Sequence, residues 1–188
     1  MSHVALYGGS FDPPHIAHVL AAVYALKVGG FSRVLVVPVF EHAFQKQPSA
    51  FAHRVRMCEL AMAGIEQVEV STVEQGLATP SLTLRTVEHM VHAHPDWRLR
   101  LLIGSDVLGE TSKWYAFERI AALAPPFIVA RPGYPHPSEN PALLPDVSST
   151  RVREALQMRD EPSNRRLLAV SVPSAVLSYI EEHGLYRG

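Results

Sequence analysis

The 188-residue chain has little of what marks several common protein classes. Its single cysteine, Cys58, cannot form an intrachain disulfide, and no cysteine pair stands at metal-ligand spacing. A reducing compartment and no structural zinc site are therefore expected. Seventeen Lys and Arg residues against eighteen Asp and Glu leave a formal net charge of -1, so no overall basic field exists to gather nucleic acid or an anionic membrane. No uninterrupted apolar run reaches membrane length, and Met1-Ser2-His3-Val4 leads directly into a strand-like run without a basic leader. The chain is expected to be cytoplasmic. With 19% charged residues it is also poor in charge for a disordered chain, while 47% hydrophobic residues suffice for a buried core. One domain is expected over residues 1–188, with a helical portion from about residue 147.

Apolar patterning alternates short β-branched runs with stretches of helical period. Val4 to Tyr7 predicts a strand, Ile16 to Lys27 a helix, and Arg33 to Pro38 a strand buried on both faces. Phe51 to Ala63 predicts a helix, with Cys58 on its apolar side, and Val68 to Val70 a short strand. A further helix is expected from about Ser81, as a cap, to His94, where Pro95 stops it. Leu99 to Ile103 and Phe127 to Ala130 predict two more strands, Pro132 to Pro145 a long loop, and helices are expected near Ser149 and Ser174. Strands separated by helices imply a Rossmann-like, doubly wound parallel α/β sheet with a small C-terminal helical segment. Ligands of such sheets bind at the carboxyl ends of strands, so chemistry should be sought there.

Directly after the first strand stands Gly8-Gly9-Ser10-Phe11-Asp12-Pro13-Pro14-His15-Ile16-Ala17-His18. Glycines let the backbone approach a bulky anion, and the following helix start offers free amides to phosphate oxygens. The segment lacks the Gly-Lys-Ser/Thr ending of a Walker loop and the third glycine of the dinucleotide fingerprint. In place of a lysine it offers His15 and His18, three apart and hence on one helix face, both able to donate to a phosphate chain. A zinc site is disfavoured, because the His-Glu-x-x-His pattern is absent. The ordinary reading of a helix-start histidine and a half-buried one carries less weight behind a Gly-Gly turn. A second polar turn, Ser148-Ser149-Thr150-Arg151-Val152-Arg153, runs into a helix. Its hydroxyls can cap that helix, and Arg153 can clamp phosphate in a bidentate fashion, whereas Arg151 reads as solvated.

These two segments resemble the nucleotidylyltransferase superfamily. Five further pieces, in order along nearly the whole chain, resemble its bacterial nicotinate-mononucleotide adenylyltransferases: Thr79-Pro80-Ser81-Leu82-Thr83, Ile103-Gly104-Ser105-Asp106, Trp114-Tyr115, Arg131 to Pro135, and Val172-Pro173 through Leu185-Tyr186. The resemblance implies adenylyl transfer from ATP to nicotinate mononucleotide, giving deamido-NAD and pyrophosphate. It implies that His15, His18 and Arg153 are catalytic and that His18 lies nearest the reacting α-phosphoryl. ATP would be held by Gly8, Gly9, Ser10, Phe11, His15, His18, Gly104, Asp106, Ser149 and Arg153, with Lys46 beside them. The pyridine mononucleotide would meet Ser10, Thr83, Leu84, Trp114 and Tyr115. Mg²⁺ would be held mainly by ATP phosphates, with no protein metal site. Three positions depart from the pattern: Val39 to Lys46 replaces a Pro-Pro-His-basic stretch, Ala17 a frequent glycine, and Leu82 a frequent tyrosine. Another acceptor, nicotinamide mononucleotide or pantetheine phosphate, and a non-catalytic nucleotide sensor remain the alternatives. Arg54 and Arg56 follow the variable loop, and a solvated face is expected for at least one of them.

Overall fold

The alternation of strand and helix patterns is realised as a parallel sheet in a computed structural model that describes residues 1–41, 48–134 and 144–187. The sheet is built from β1 (Ser2–Gly9), β2 (Arg33–Pro38), β3 (Val68–Val70), β4 (Trp97–Gly104) and β5 (Pro126–Val129). Among the described residues its order is β3-β2-β1-β4-β5, with all four pairings parallel. The strand order reverses at β1, whose neighbours are β2 and β4, so the crevice for ligands opens above the carboxyl ends of these two pairings.

Successive strand residues point to opposite faces, and both faces are covered. On one, Ala5, Val34, Val36, Leu102 and Val129 share a core with α1 (Ile16–Lys27), α2 (Phe51–Met62), α5 (Ser149–Gln157), α6 (Pro162–Ser171) and α7 (Ser174–Glu182). On the other, Val4, Leu6, Leu35, Val37, Leu99, Leu101 and Ile103 pack on α3 (Thr83–Ala93) and α4 (Phe117–Leu123). α1 presents Ala17, Ala21 and Ala25 at four-residue spacing, all buried, and these small side chains set the helix close to the sheet.

The expected doubly wound sheet is thus the observed one, with differences at element ends. β1 and β4 run past their apolar centres because each is paired along its length, Ser2 with Trp97 and Gly9 with Pro38. α3 starts at Thr83 rather than near Ser81. Ser81 does not cap it: its N–H donates to the Glu41 carbonyl and its hydroxyl accepts from the Glu41 N–H, joining two loops. The sequence pattern did not predict α4 or α6, whose buried residues are only Ile120 in the first and Leu168 and Ser171 in the second. Such narrow apolar stripes leave little periodicity to read. Trp97 stacks on His94 at 3.8 Å between centroids. Most of the stretch from Pro132 to Pro145 lies outside the described residues.

Candidate active site

The loop from Ser10 to His15 leaves β1 at the strand-order reversal and is shaped by packing as much as by glycine. Phe11 takes a left-handed conformation (φ 49°) and is buried. Its ring lies so close to Gly9 that a Cβ there would come within 3.1 Å of it. Beyond Gly8 a Cβ would meet nothing within 4 Å, so this glycine leaves open space in the site.

α1 then begins with His15 at its cap position. The His15 backbone N–H donates to Nδ1 of His18 at 3.1 Å, which leaves the His18 proton on Nε2. The two rings stack with centroids 3.8 Å apart, and Phe11 meets His18 edge-on at 5.0 Å. Burial, then Arg131, pull the His15 pKa down to about 3. Burial, His15 and Arg131 hold His18 well below the ordinary histidine value. Both imidazoles are therefore neutral near neutral pH, hydrogen-bond donors rather than the cations a phosphate site suggests. His15 is only 2% exposed, and among the described residues its Nδ1 has no hydrogen-bond partner.

That burial has a consequence for stability. The unfolded His15 binds its proton near 6.5 and the folded one near 3, so between these values the unfolded chain holds more protons and stability falls as pH falls. Denaturant titrations between pH 5.5 and 4 should show His15 contributing a loss of about 1.3 kcal/mol per pH unit. His15→Gln should flatten the dependence by that amount, and an unaltered slope in the variant would contradict the assignment.

Opposite the first loop stands the N-terminus of α5. Ser148, not Ser149 or Thr150, caps it, accepting from the Arg151 N–H. The Ser149 hydroxyl instead donates to the Pro13 carbonyl at 2.9 Å. Arg153 donates from Nη1 to the Asp12 carbonyl at 2.6 Å and from Nη2 to the Thr150 hydroxyl at 3.3 Å. With His18, Ser10, Phe11, Asp12, Pro48, Ser49, Ser149, Thr150 and Tyr186, it lines a cavity of about 650 Å³. His15 does not line it; it lies behind His18.

A second cavity of about 250 Å³ opens on the other side of Ser10, which among the described residues is the one lining both. Gly8 and Gly9 face this smaller cavity, beside Leu82, Thr83, Trp114 and Tyr115. Trp114 is braced edge-on by Phe117, with centroids 6.0 Å apart, and Tyr115 stands on the rim, 65% exposed. The Leu84 side chain is buried in the core under α3. Only its backbone, in a first helical turn whose amides have no intrahelical acceptor, can face a ligand. Glu74 and Glu110 also line the cavity, but Glu74 accepts from the Thr86 hydroxyl at 2.8 Å and the Phe40 N–H at 3.0 Å.

Gly104 and Asp106 lie at the end of β4, outside both linings, where a Cβ on Gly104 would collide with the Asp106 carboxylate. Asp106 pairs with Arg131 at 3.6 Å. Lys46 lies outside the described residues.

Sequence reasoning gave no individual role to several site residues. Arg131, whose side chain is 16% exposed, acts on both histidines and donates to the Val147 carbonyl at 2.8 Å. Its signal was its place two residues after β5, at the carboxyl edge. Arg54, 1% exposed, donates to the carbonyls of Ser49 and Ser10, each at 2.9 Å, and so holds the first loop from beneath. No local pattern distinguishes it from Arg56, which is solvated and paired with Glu59. Asp12 and Tyr186 lay within quoted motifs without a role of their own, and Ser49 was not singled out.

Among the described residues no three His, Cys, Asp or Glu side chains converge as metal ligands, and no helix is long and apolar enough to cross a membrane. The donors of the larger cavity suit the oxygens of a phosphate chain.

Comparison with known proteins agrees with this geometry. The cytidylyltransferase-like family matches residues 6–155. A probable nicotinate-nucleotide adenylyltransferase of Anaeromyxobacter sp. (strain K) is 43% identical over 188 residues, covering 98% of this chain and 97% of its own. That of Myxococcus xanthus (strain DK1622) is 38% identical over 184 residues, with coverages of 97% and 94%. Among solved structures, the Plasmodium falciparum nicotinic acid mononucleotide adenylyltransferase complexed with NaAD superimposes with a TM-score of 0.82 at 17% identity, over 99% of this chain and 98% of that one.

Proposed function

The chain belongs to the nicotinate-nucleotide adenylyltransferase family of cytidylyltransferase-like proteins, and from that premise we propose that it joins ATP and nicotinate mononucleotide into deamido-NAD, releasing pyrophosphate. The observation that carries the reading is the pair of cavities meeting at Ser10, one walled by donors and the other by Trp114. The triphosphate occupies the larger cavity and the pyridine mononucleotide the smaller. The α-phosphoryl and the attacking phosphate then meet at the strand-order reversal.

The nucleophile is already a phosphate anion, so the reaction needs no covalent intermediate and no strong base. It needs alignment and stabilisation of the charge that builds on the α-phosphoryl and the departing pyrophosphate. The His18 Nε2–H, neutral and held by the His15 amide, donates to the α-phosphoryl. Because the donor is fixed before reaction, its bond strengthens with the developing charge at no cost in reorganisation. Ser10 aligns the two phosphates, and Phe11 shapes the loop that presents it. Arg153 and the N-terminus of α5, with Ser149, take the β- and γ-phosphates. His15, buried behind His18, acts by keeping that ring in register through its backbone N–H and its stacked imidazole. Asp106, against Gly104, accepts from the ribose hydroxyls. Mg²⁺ entering with ATP would supply further charge neutralisation.

In the smaller cavity the ring stacks on Trp114, and amides of Thr83, Leu84 and Tyr115 receive its carboxylate. Donors alone select carboxylate over carboxamide. Glu74 does not counter this, since its oxygens are already engaged. Glu110 is the feature that favours a carboxamide, which makes nicotinamide mononucleotide the comparison substrate.

Pyrophosphate release should be measured with nicotinate mononucleotide, nicotinamide mononucleotide and pantetheine phosphate. Turnover with the first should exceed that with the second by about 10² or more. Turnover only with another acceptor would overturn the substrate, and none with any would favour a nucleotide sensor.

A further inference from the structure

We propose that Tyr186 is a positioning residue for the ATP half of the site, acting through Asp12 on Arg153. The segment after α7 is turned back towards the nucleotide cavity by a defined stop. Gly184 adopts φ 61°, its N–H donates to the Glu181 carbonyl, and the Leu185 N–H donates to the Ile180 carbonyl. This is the bond pattern of a Schellman motif. Leu185 and Ile180 both pack in the core on that side of the sheet. Tyr186 follows at φ 59°, a left-handed conformation uncommon for a residue with a side chain and held only where surroundings dictate it.

What dictates it is a polar cluster at the cavity wall. The Tyr186 hydroxyl donates to Asp12 Oδ1 at 2.6 Å and lies 3.0 Å from the Ser49 hydroxyl. Ser49 gives the same Oδ1 its hydroxyl and its backbone N–H. Asp12 is 6% exposed, so its carboxylate depends on these donors. Its other oxygen stands 4.0 Å from Arg153 Nη1, and its carbonyl accepts from that same nitrogen. Left without donors, an anion on the wall of a phosphate cavity would take Arg153 for itself. Tyr186 and Ser49 satisfy Oδ1 instead, so Asp12 orients the guanidinium without consuming it. Burial and Asp12 raise the phenol pKa above its ordinary value, so Tyr186 remains a donor.

The inference rests on adenylyl transfer as the reaction, and the two substrates provide the readout, because Tyr186 lines the larger cavity and not the smaller. In Tyr186→Phe, kcat/KM for ATP should fall about tenfold, with directly measured ATP affinity falling in step. KM for the pyridine mononucleotide should stay within about twofold, because no contact on that side is lost. Ser49→Ala should move the ATP parameters in the same direction, and it carries the test should the tyrosine variant not fold. In an Asp12→Asn background the phenylalanine substitution should add less than about twofold, as for groups acting in series. Unchanged ATP parameters, equal losses for both substrates, or a full effect without the Asp12 carboxylate would each overturn the proposal. Absence of turnover in the wild type would instead overturn adenylyl transfer, while ATP affinity would still report on Tyr186.

Discussion

His18→Ala should lower kcat for pyrophosphate release by about 10³, the loss seen when one preorganised donor to a developing anion is removed. Its Nε2–H is set by the His15 amide bond to Nδ1, and its ring is held between His15 and Phe11. Alanine removes the donor and frees that amide, at a cost of about 1 kcal/mol in helix capping. Because the imidazole is neutral, it contributes little Coulomb attraction to the ground-state triphosphate. ATP affinity, measured by calorimetry, should therefore stay within about threefold, as for an interaction realised mainly in the transition state. Turnover within tenfold of the wild type would contradict the assignment. A parallel loss of affinity and rate would make His18 a binding group only.

Arg153→Ala should lower kcat/KM for ATP by about 10² to 10³, through loss of a charge-assisted contact to the departing pyrophosphate. Arg153→Lys should recover little of it. The native guanidinium spends one nitrogen on the Asp12 carbonyl and another on the Thr150 hydroxyl, which leaves the rest of its fork for phosphate. An ammonium cannot reproduce that planar division of donors. The expected signature is weaker inhibition by pyrophosphate together with a nearly unchanged KM for the pyridine mononucleotide. Full activity in the lysine variant would show that only a positive charge is needed.

The parts of the site that lie in short contiguous runs were legible in the chain. Gly8 to His18 and Ser148 to Arg153 signal helix starts behind turns, and both face the larger cavity through Ser10, His18, Ser149 and Arg153. Trp114 and Tyr115 were singled out by the family resemblance alone, and both line the smaller cavity. The charge state of the histidines was not, because it depends on burial and on Arg131, 116 positions from His15 in the chain. Arg54 and Arg56 show the same limit: two arginines two positions apart point to opposite sides of a helix, one into the loop beneath Ser10 and one into solvent.

The sequence by itself determined the parallel sheet, since runs such as Val34 to Val37 have nowhere to be buried except under helices on both faces. It also singled out the turn after β1 and the start of α5, which the fold brings to one cavity. The tertiary structure alone decided how that region is divided. It turned Gly8 and Gly9 towards the smaller cavity, withdrew His15 behind His18, and brought Asp12, Ser49, Arg153 and Tyr186 together from four separate segments. Local patterns report which backbone groups a segment leaves unsatisfied. Which distant side chain reaches them is set by the packing of the whole chain.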